Sequence, residues 1–248
     1  MKRYALFIRF KGTNFHGWQV QDNAKSIQAE IQAVLKLILQ TDIELTGAGR
    51  TDAGVHATEM IAHFDAAKID DLDLFLHKLN GVLDEDIAIF DIRETVADFH
   101  ARFDAVSRTY HYQINFLKDP FVKEFSYYLK NQPDIEKMNQ AALHLIGTKD
   151  FSCFSKAHTQ THTNDCEIIH ASWALSEGVL AFEITANRFL RNMVRAIVGT
   201  LLEVGEGKRS VESITDLIAS KDRSNAGTSV PAKGLFLSHI EYSESRFI

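Results

Sequence analysis

Residues 3 to 10 read Arg-Tyr-Ala-Leu-Phe-Ile-Arg-Phe, a run dense in β-branched and aromatic side chains that predicts a strand. A polar loop carrying Gly12 and Gly17 follows. Ile27, Ile31, Val34, Leu35 and Ile38 then recur at helical spacing behind Ser26, which is placed to cap a helix reaching Gln40. Residues 43 to 47 and 58 to 65 read as strands, the second with Met60, Ala62 and Phe64 alternating with Ile61 and His63. Leu72, Phe75, Leu76 and Leu79 line one face of a helix from Asp71 to Leu83, and Ile87 to Ile92 completes a β-α-β-β-α-β order.

The second half repeats that order. Arg108 to Phe116 alternates as an aromatic strand, and Asp134 is placed to cap a helix carrying Ile135, Met138, Ala142, Leu145 and Ile146. Residues 165 to 175 and 179 to 186 predict a hairpin around Glu177-Gly178. Asn187 is placed to cap a long predicted helix to about Val204, a shorter one covers 211 to 219, and Gly234 to Tyr242 is a last strand. The expected class is α+β, with two ferredoxin-like modules over residues 1–104 and 105–248. The halves share this pattern without sequence identity.

Composition narrows the picture. The 248 residues suffice for one large or two small cores. No stretch approaches the roughly 18 apolar residues of a membrane helix, and Arg9 interrupts the apolar run after Met1-Lys2-Arg3, so neither a span nor a secretory signal is expected. Two cysteines make no disulfide framework, which agrees with a cytoplasmic address. The net charge of −6 argues mildly against nucleic acid, but all of the excess lies in residues 1–104, with 17 acidic and 11 basic side chains, against 16 of each in the remainder. An acidic bulk is compatible with a basic cleft.

Gly47-Ala48-Gly49-Arg50-Thr51-Asp52-Ala53-Gly54-Val55-His56-Ala57 lies between two predicted strands. Its glycines allow tight turns and close approach of another molecule, and they display Arg50, Asp52 and His56. An aspartate beside an arginine suits a carboxylate nucleophile, although Asp52 and Gly54 equally suit a plain turn. In Gly12-Thr13-Asn14-Phe15-His16-Gly17-Trp18-Gln19, the aromatics fit base stacking or the sealing of a core edge. Arg188, Arg191, Asn192 and Arg195 would share one face of the helix after Asn187, suited to phosphate, to a buried carboxylate or to solvent. Cys153, His158, His162 and Cys166 have the atom types for zinc without a short C-x2-C knuckle. Nucleotide-cofactor and common hydrolase motifs do not occur.

Together these segments resemble the tRNA pseudouridine synthase A family. Gly49 to Ala57 is similar to that family's signature loop. Gly12-Thr13 with Gly17-Trp18-Gln19, Phe99-His100-Ala101-Arg102-Phe103, Arg108 with Tyr110 and Tyr112, Ala186 to Arg195, and Pro231-Ala232 with Gly234-Leu235 follow in family order. The resemblance implies a cytoplasmic homodimer that isomerises uridine in the anticodon stem-loop of tRNA, at positions 38, 39 and 40, with no cofactor, metal or membrane. It implies a continuous mixed or antiparallel sheet with a central active-site cleft. Asp52 matches the nucleophile, Tyr110 the residue that stacks on the base and moves a proton, and Arg195 the ion-pair partner of Asp52. Arg50, His56, Arg188 and Arg191 join Tyr110 as substrate-binding residues. The competing classes are an RNA-binding protein without turnover and a zinc hydrolase using Cys153, His158, His162 and Cys166.

Overall fold

The first strand buries side chains on both faces. In β1 (Lys2–Phe10), Tyr4, Leu6, Ile8 and Phe10 are buried on one face and Ala5 and Phe7 on the other. Helix α1 (Ile27–Leu39) starts where Ser26 accepts a hydrogen bond from the Ala29 N–H, and it buries Ile27, Ile31, Val34 and Leu35. Strand β2 is only Thr46–Gly47, paired with β3 (His56–Ala66). Helix α2 (Leu72–Val82) is capped by Asp71, which accepts from the Leu74 N–H at 2.8 Å, and β4 (Ile87–Thr95) follows. Strand β1 lies between β4 and β3, antiparallel to both, with Tyr4 opposite Phe64 and Leu6 opposite Ala62.

The strand expected over 43–47 is mostly replaced. Gln32 Nε2 donates to the Ile43 carbonyl at 3.0 Å and Gln28 Nε2 to the Leu45 carbonyl at 2.7 Å. Two side chains of α1 thus satisfy backbone acceptors that a ladder would otherwise take.

The computed structural model describes residues 1–156 and 163–248 and divides into two compact units, Met1–Val106 with Leu237–Ile248, and Ser107–Phe236. In the second unit, β5 (Ser107–Asn115) carries the two-residue strand β6 (Tyr127–Tyr128). Helix α3 (Ile135–Leu143), capped by Asp134, is followed by β7 (Gly147–Asp150), β8 (Asp165–Ser176) and β9 (Val179–Ala186). The order β5-β9-β8-β7 is antiparallel throughout. Glu177 and Gly178 have φ of 51° and 80°, the left-handed pair that a tight hairpin between right-twisted strands requires.

Helix α4 is Met193–Gly205, five residues shorter at its start than expected, and α5 is Ser213–Ser220. Asn187 does not cap α4. Its Oδ1 accepts from the Glu167 N–H at 2.9 Å and its own N–H donates to the Glu167 carbonyl at 3.1 Å, so it extends the β8–β9 pairing. Asn192, at φ 66°, is the residue from which the chain enters the helix. The last strand, β10 (Leu235–Glu241), groups from Leu237 onward with the first unit and lies beside β3. The architecture is α+β, and no helix of the described residues is long and apolar enough to cross a membrane.

Candidate active site

In the first unit, the two glycine-bearing loops clasp one another. A Cβ on Gly12 would lie 2.0 Å from the Val55 carbonyl oxygen, and one on Gly17, whose φ is +89°, would lie 2.3 Å from the Thr51 carbonyl oxygen. Neither approach leaves room for a side chain. Across this seam the Trp18 N–H donates to the Thr51 carbonyl at 3.3 Å, and the Gly54 N–H to the Phe15 carbonyl at 3.3 Å. The Val55 N–H closes a turn onto the Asp52 carbonyl at 3.2 Å. Asp52 is therefore half-buried on a loop braced on both sides.

The neighbouring side chains divide between structure and display. Trp18 is 1% exposed and packs against Phe10 at a centroid distance of 6.3 Å, so the core-sealing reading of this indole holds. Gly47 lets it in, since a Cβ there would sit 2.6 Å from the Trp18 ring. His56 is also 1% exposed, and its Nδ1 accepts from the Gly12 N–H at 3.1 Å, which makes it a brace between the loops. Arg50 is exposed, with Nε donating to Gln19 Oε1 at 3.1 Å. Thr51 Oγ1 is buried without a hydrogen-bond partner among the described residues, an unmet polar group of the kind that functional loops carry.

In the second unit, Tyr110 is half-buried on β5 opposite Ile184, with its ring edge-on to Phe189 at 5.1 Å and 86°. Phe189 belongs to the segment 187–192, which links β9 to α4. Arg108 Nη1 donates to the Asn187 carbonyl at 2.7 Å and fixes the start of this link. Arg188, half-buried, and Arg191, exposed, lie on the link and not on a helix face, whereas Arg195 is in the first turn of α4. Arg195 Nε donates to the Val230 carbonyl at 2.8 Å, and the Val230 N–H returns a bond to the Arg195 carbonyl at 3.2 Å. Asn192 Nδ2 donates to Ser229 Oγ at 2.7 Å. Gly199 lets the strap at Thr228 lie on the helix, since a Cβ would come within 1.9 Å of the Thr228 carbonyl oxygen.

Cys153 and Cys166 are buried, and burial pushes their thiols up to about 12 and about 11. These thiols stay protonated and weakly nucleophilic at neutral pH. His158 and His162, the other members of the zinc reading, lie outside the described residues. Among the described residues no group of three or more His, Cys, Asp or Glu is placed to hold a metal.

Sequence reasoning missed Gln19 as the holder of Arg50 and Phe189 as the wall beside Tyr110. Both lie within segments already notable for their aromatics and arginines, but their partners are distant in sequence.

Comparison with known proteins identifies the class. A family model described as tRNA pseudouridine synthase matches residues 141–243. Curated relatives named tRNA pseudouridine synthase A extend the match. Those of Bacteroides thetaiotaomicron and Parabacteroides distasonis are each 48% identical over all of this chain and 93% and 98% of their own. That of Halalkalibacterium halodurans is 40% identical over 95% of this chain and 90% of its own. The chain belongs to the tRNA pseudouridine synthase A family.

Proposed function

We propose that this enzyme isomerises uridine to pseudouridine in the anticodon stem-loop of tRNA, with Asp52 as the nucleophile. Family membership at 48% identity over the full chain makes it an isomerase acting as a tRNA pseudouridine synthase. The single observation that carries the residue assignment is the double brace on the Asp52 loop, in which Gly12 and Gly17 admit the carbonyls of Val55 and Thr51. Such rigidity is what a reacting carboxylate needs, because effective concentration depends on a fixed approach.

The reaction breaks the C1′–N1 bond, turns the freed uracil and joins C1′ to C5. A proton leaves C5 and one is gained at N1, so nothing is added or lost. The carboxylate of Asp52 serves by adding to base or sugar, or by assisting elimination across C1′–C2′. In this reading Tyr110 packs on the target base, its ring held by Phe189, and its hydroxyl moves a proton. Arg195, whose Nε is anchored on the Val230 carbonyl, is taken as the ion-pair partner of Asp52. Arg50, Arg188 and Arg191 contact the RNA, and His56 acts through the loop it braces. No cofactor or metal enters the chemistry.

The same reading takes residues 1–104 and 105–248 as two ferredoxin-like modules, supported by the β4-β1-β3-β2 order in one unit and β5-β9-β8 in the other. It also takes the working form as a cytoplasmic homodimer, on the resemblance alone. The test is incubation with unmodified tRNA, without added cofactor or metal, followed by mapping of pseudouridine. Product confined to the anticodon stem-loop supports the reading, and its absence from every tRNA overturns it.

A further inference from the structure

The segment Phe99-His100-Ala101-Arg102-Phe103 takes no part in the chemistry above, yet it is built to hold one aromatic ring away from the protein. Phe99 and Ala101 are 0% exposed, while Phe103 is 73% exposed. The turn between them is tied at successive backbone donors. The Ala101 N–H donates to His63 Nδ1 at 3.1 Å, the Arg102 N–H to His100 Nδ1 at 3.1 Å, and the His100 N–H to Asp104 Oδ2 at 2.9 Å. The N–H groups of Phe103 and Asp104 both donate to the His100 carbonyl, at 3.1 and 3.0 Å. The Tyr242 hydroxyl donates to the Ala101 carbonyl.

Three rings form a ladder from interior to surface. His63, 7% exposed, lies 4.9 Å from His100, and His100 lies 4.3 Å from Phe103 at an interplanar angle of 37°. The Arg102 guanidinium carbon stands 5.6 Å from the Phe103 centroid. The carboxylates of this turn, Asp98 and Asp104, are both drawn to Arg246, at 3.3 and 2.5 Å, which offsets their repulsion of a polyanion.

A scattered exposed apolar residue needs no explanation, but this one meets the His100 ring at a 37° tilt, is locked by its turn and has a guanidinium 5.6 Å over its ring. A single ring is far short of the roughly 800 Å² per partner of a stable protein interface, whereas it matches one nucleobase. We propose that Phe103, backed by His100 and flanked by Arg102, is a stacking platform for an unpaired base of the RNA substrate. It is a positioning residue for the RNA and does not touch the reacting atoms. The inference rests on tRNA being the substrate.

The test compares the intact wild-type chain with Phe103→Ala and Phe103→Trp on unmodified tRNA, following binding, KM, kcat and the thermal midpoint. Phe103→Ala is expected to weaken binding and raise KM about 10-fold, the size of one lost base stack, with kcat and the midpoint nearly unchanged. Phe103→Trp is expected to restore binding, and its emission to be quenched by tRNA. Trp18 and Trp173 are 1% and 4% exposed, so the added indole is the one in contact with ligand. Wild-type binding by Phe103→Ala overturns the inference. So does emission from Phe103→Trp that ignores tRNA, or that changes only with protein concentration, which would assign the ring to a second copy of the chain. If the wild type itself neither binds tRNA nor makes pseudouridine, the substrate reading fails and this inference with it.

Discussion

The backbone N–H of Gly12 donates to Nδ1 of His56 at 3.1 Å, joining the loop after β1 to the far end of the loop that carries Asp52. The acceptor is a ring that is 1% exposed, and the donor belongs to a residue that cannot carry a side chain there. Two residues that read as signature elements thus work as one fastening. His56→Ala leaves a buried N–H unmet and a small void. We expect a loss of about 1–3 kcal/mol in stability, read by denaturant unfolding, together with a fall in kcat that exceeds the change in KM.

Gly17→Ala tests the same brace from its other end. The residue sits at φ +89°, and its new methyl would meet the Thr51 carbonyl oxygen, one residue before Asp52. The clash cannot relax without moving the carboxylate. Steady-state kinetics should show kcat reduced at least about 10-fold with KM little altered, because a displacement of about 1 Å costs on the order of 10²-fold.

His63 makes stability depend on pH. Burial first, then the charges of Arg3 and His100, lower its pKa from 6.5 to about 4, against the opposing influence of Asp65 and Asp104. The folded state keeps the ring neutral, as its acceptor role toward the Ala101 N–H requires. The unfolded chain therefore binds the proton first as pH falls. The His63 contribution is present above pH 6.5 and is lost as pH falls from 6.5 toward 4. It amounts to about 2 kcal/mol between pH 7 and pH 5. His63→Gln should flatten the pH dependence of the thermal midpoint across that window.

The edge-on contact of Phe189 with Tyr110 should show in the kinetics of two variants. Such a contact is worth about 0.5–1.5 kcal/mol, so Phe189→Ala should lower kcat/KM by about 3- to 10-fold. Tyr110→Phe keeps the ring and removes the hydroxyl. It should leave KM close to wild type and lower kcat by about 10²-fold or more, the contribution of a positioned proton donor.

Much of this was legible where local chemistry decides. Ser26 and Asp134 cap the helices they were expected to cap, and Asp71 caps the helix expected to begin at it, because one oxygen meeting one N–H needs only a short segment. Glu177-Gly178 turns the hairpin for a similar reason. The failures are places where a distant partner outbids local preference. Asn187 spends its amide on Glu167 of a neighbouring strand, so Arg188 and Arg191 leave the helix. Gln28 and Gln32 take the carbonyls of a segment that reads as a strand. At the site, Arg50 and Asp52 stand out on a glycine-rich loop and Tyr110 enters only through the family resemblance, whereas the burial of His56 and the hold of Gln19 on Arg50 follow from loop packing that no local pattern encodes.

The central claim is that the carboxylate of Asp52 reacts. The most direct measurement is single-turnover formation of pseudouridine by Asp52→Asn on unmodified tRNA, with tRNA binding and unfolding followed in parallel. The account predicts that the amide, which cannot act as a nucleophile, binds tRNA within a fewfold of wild type and unfolds at the same temperature. It should make product at least about 10³-fold more slowly. Product at the wild-type rate from a verified Asp52→Asn chain would contradict the account.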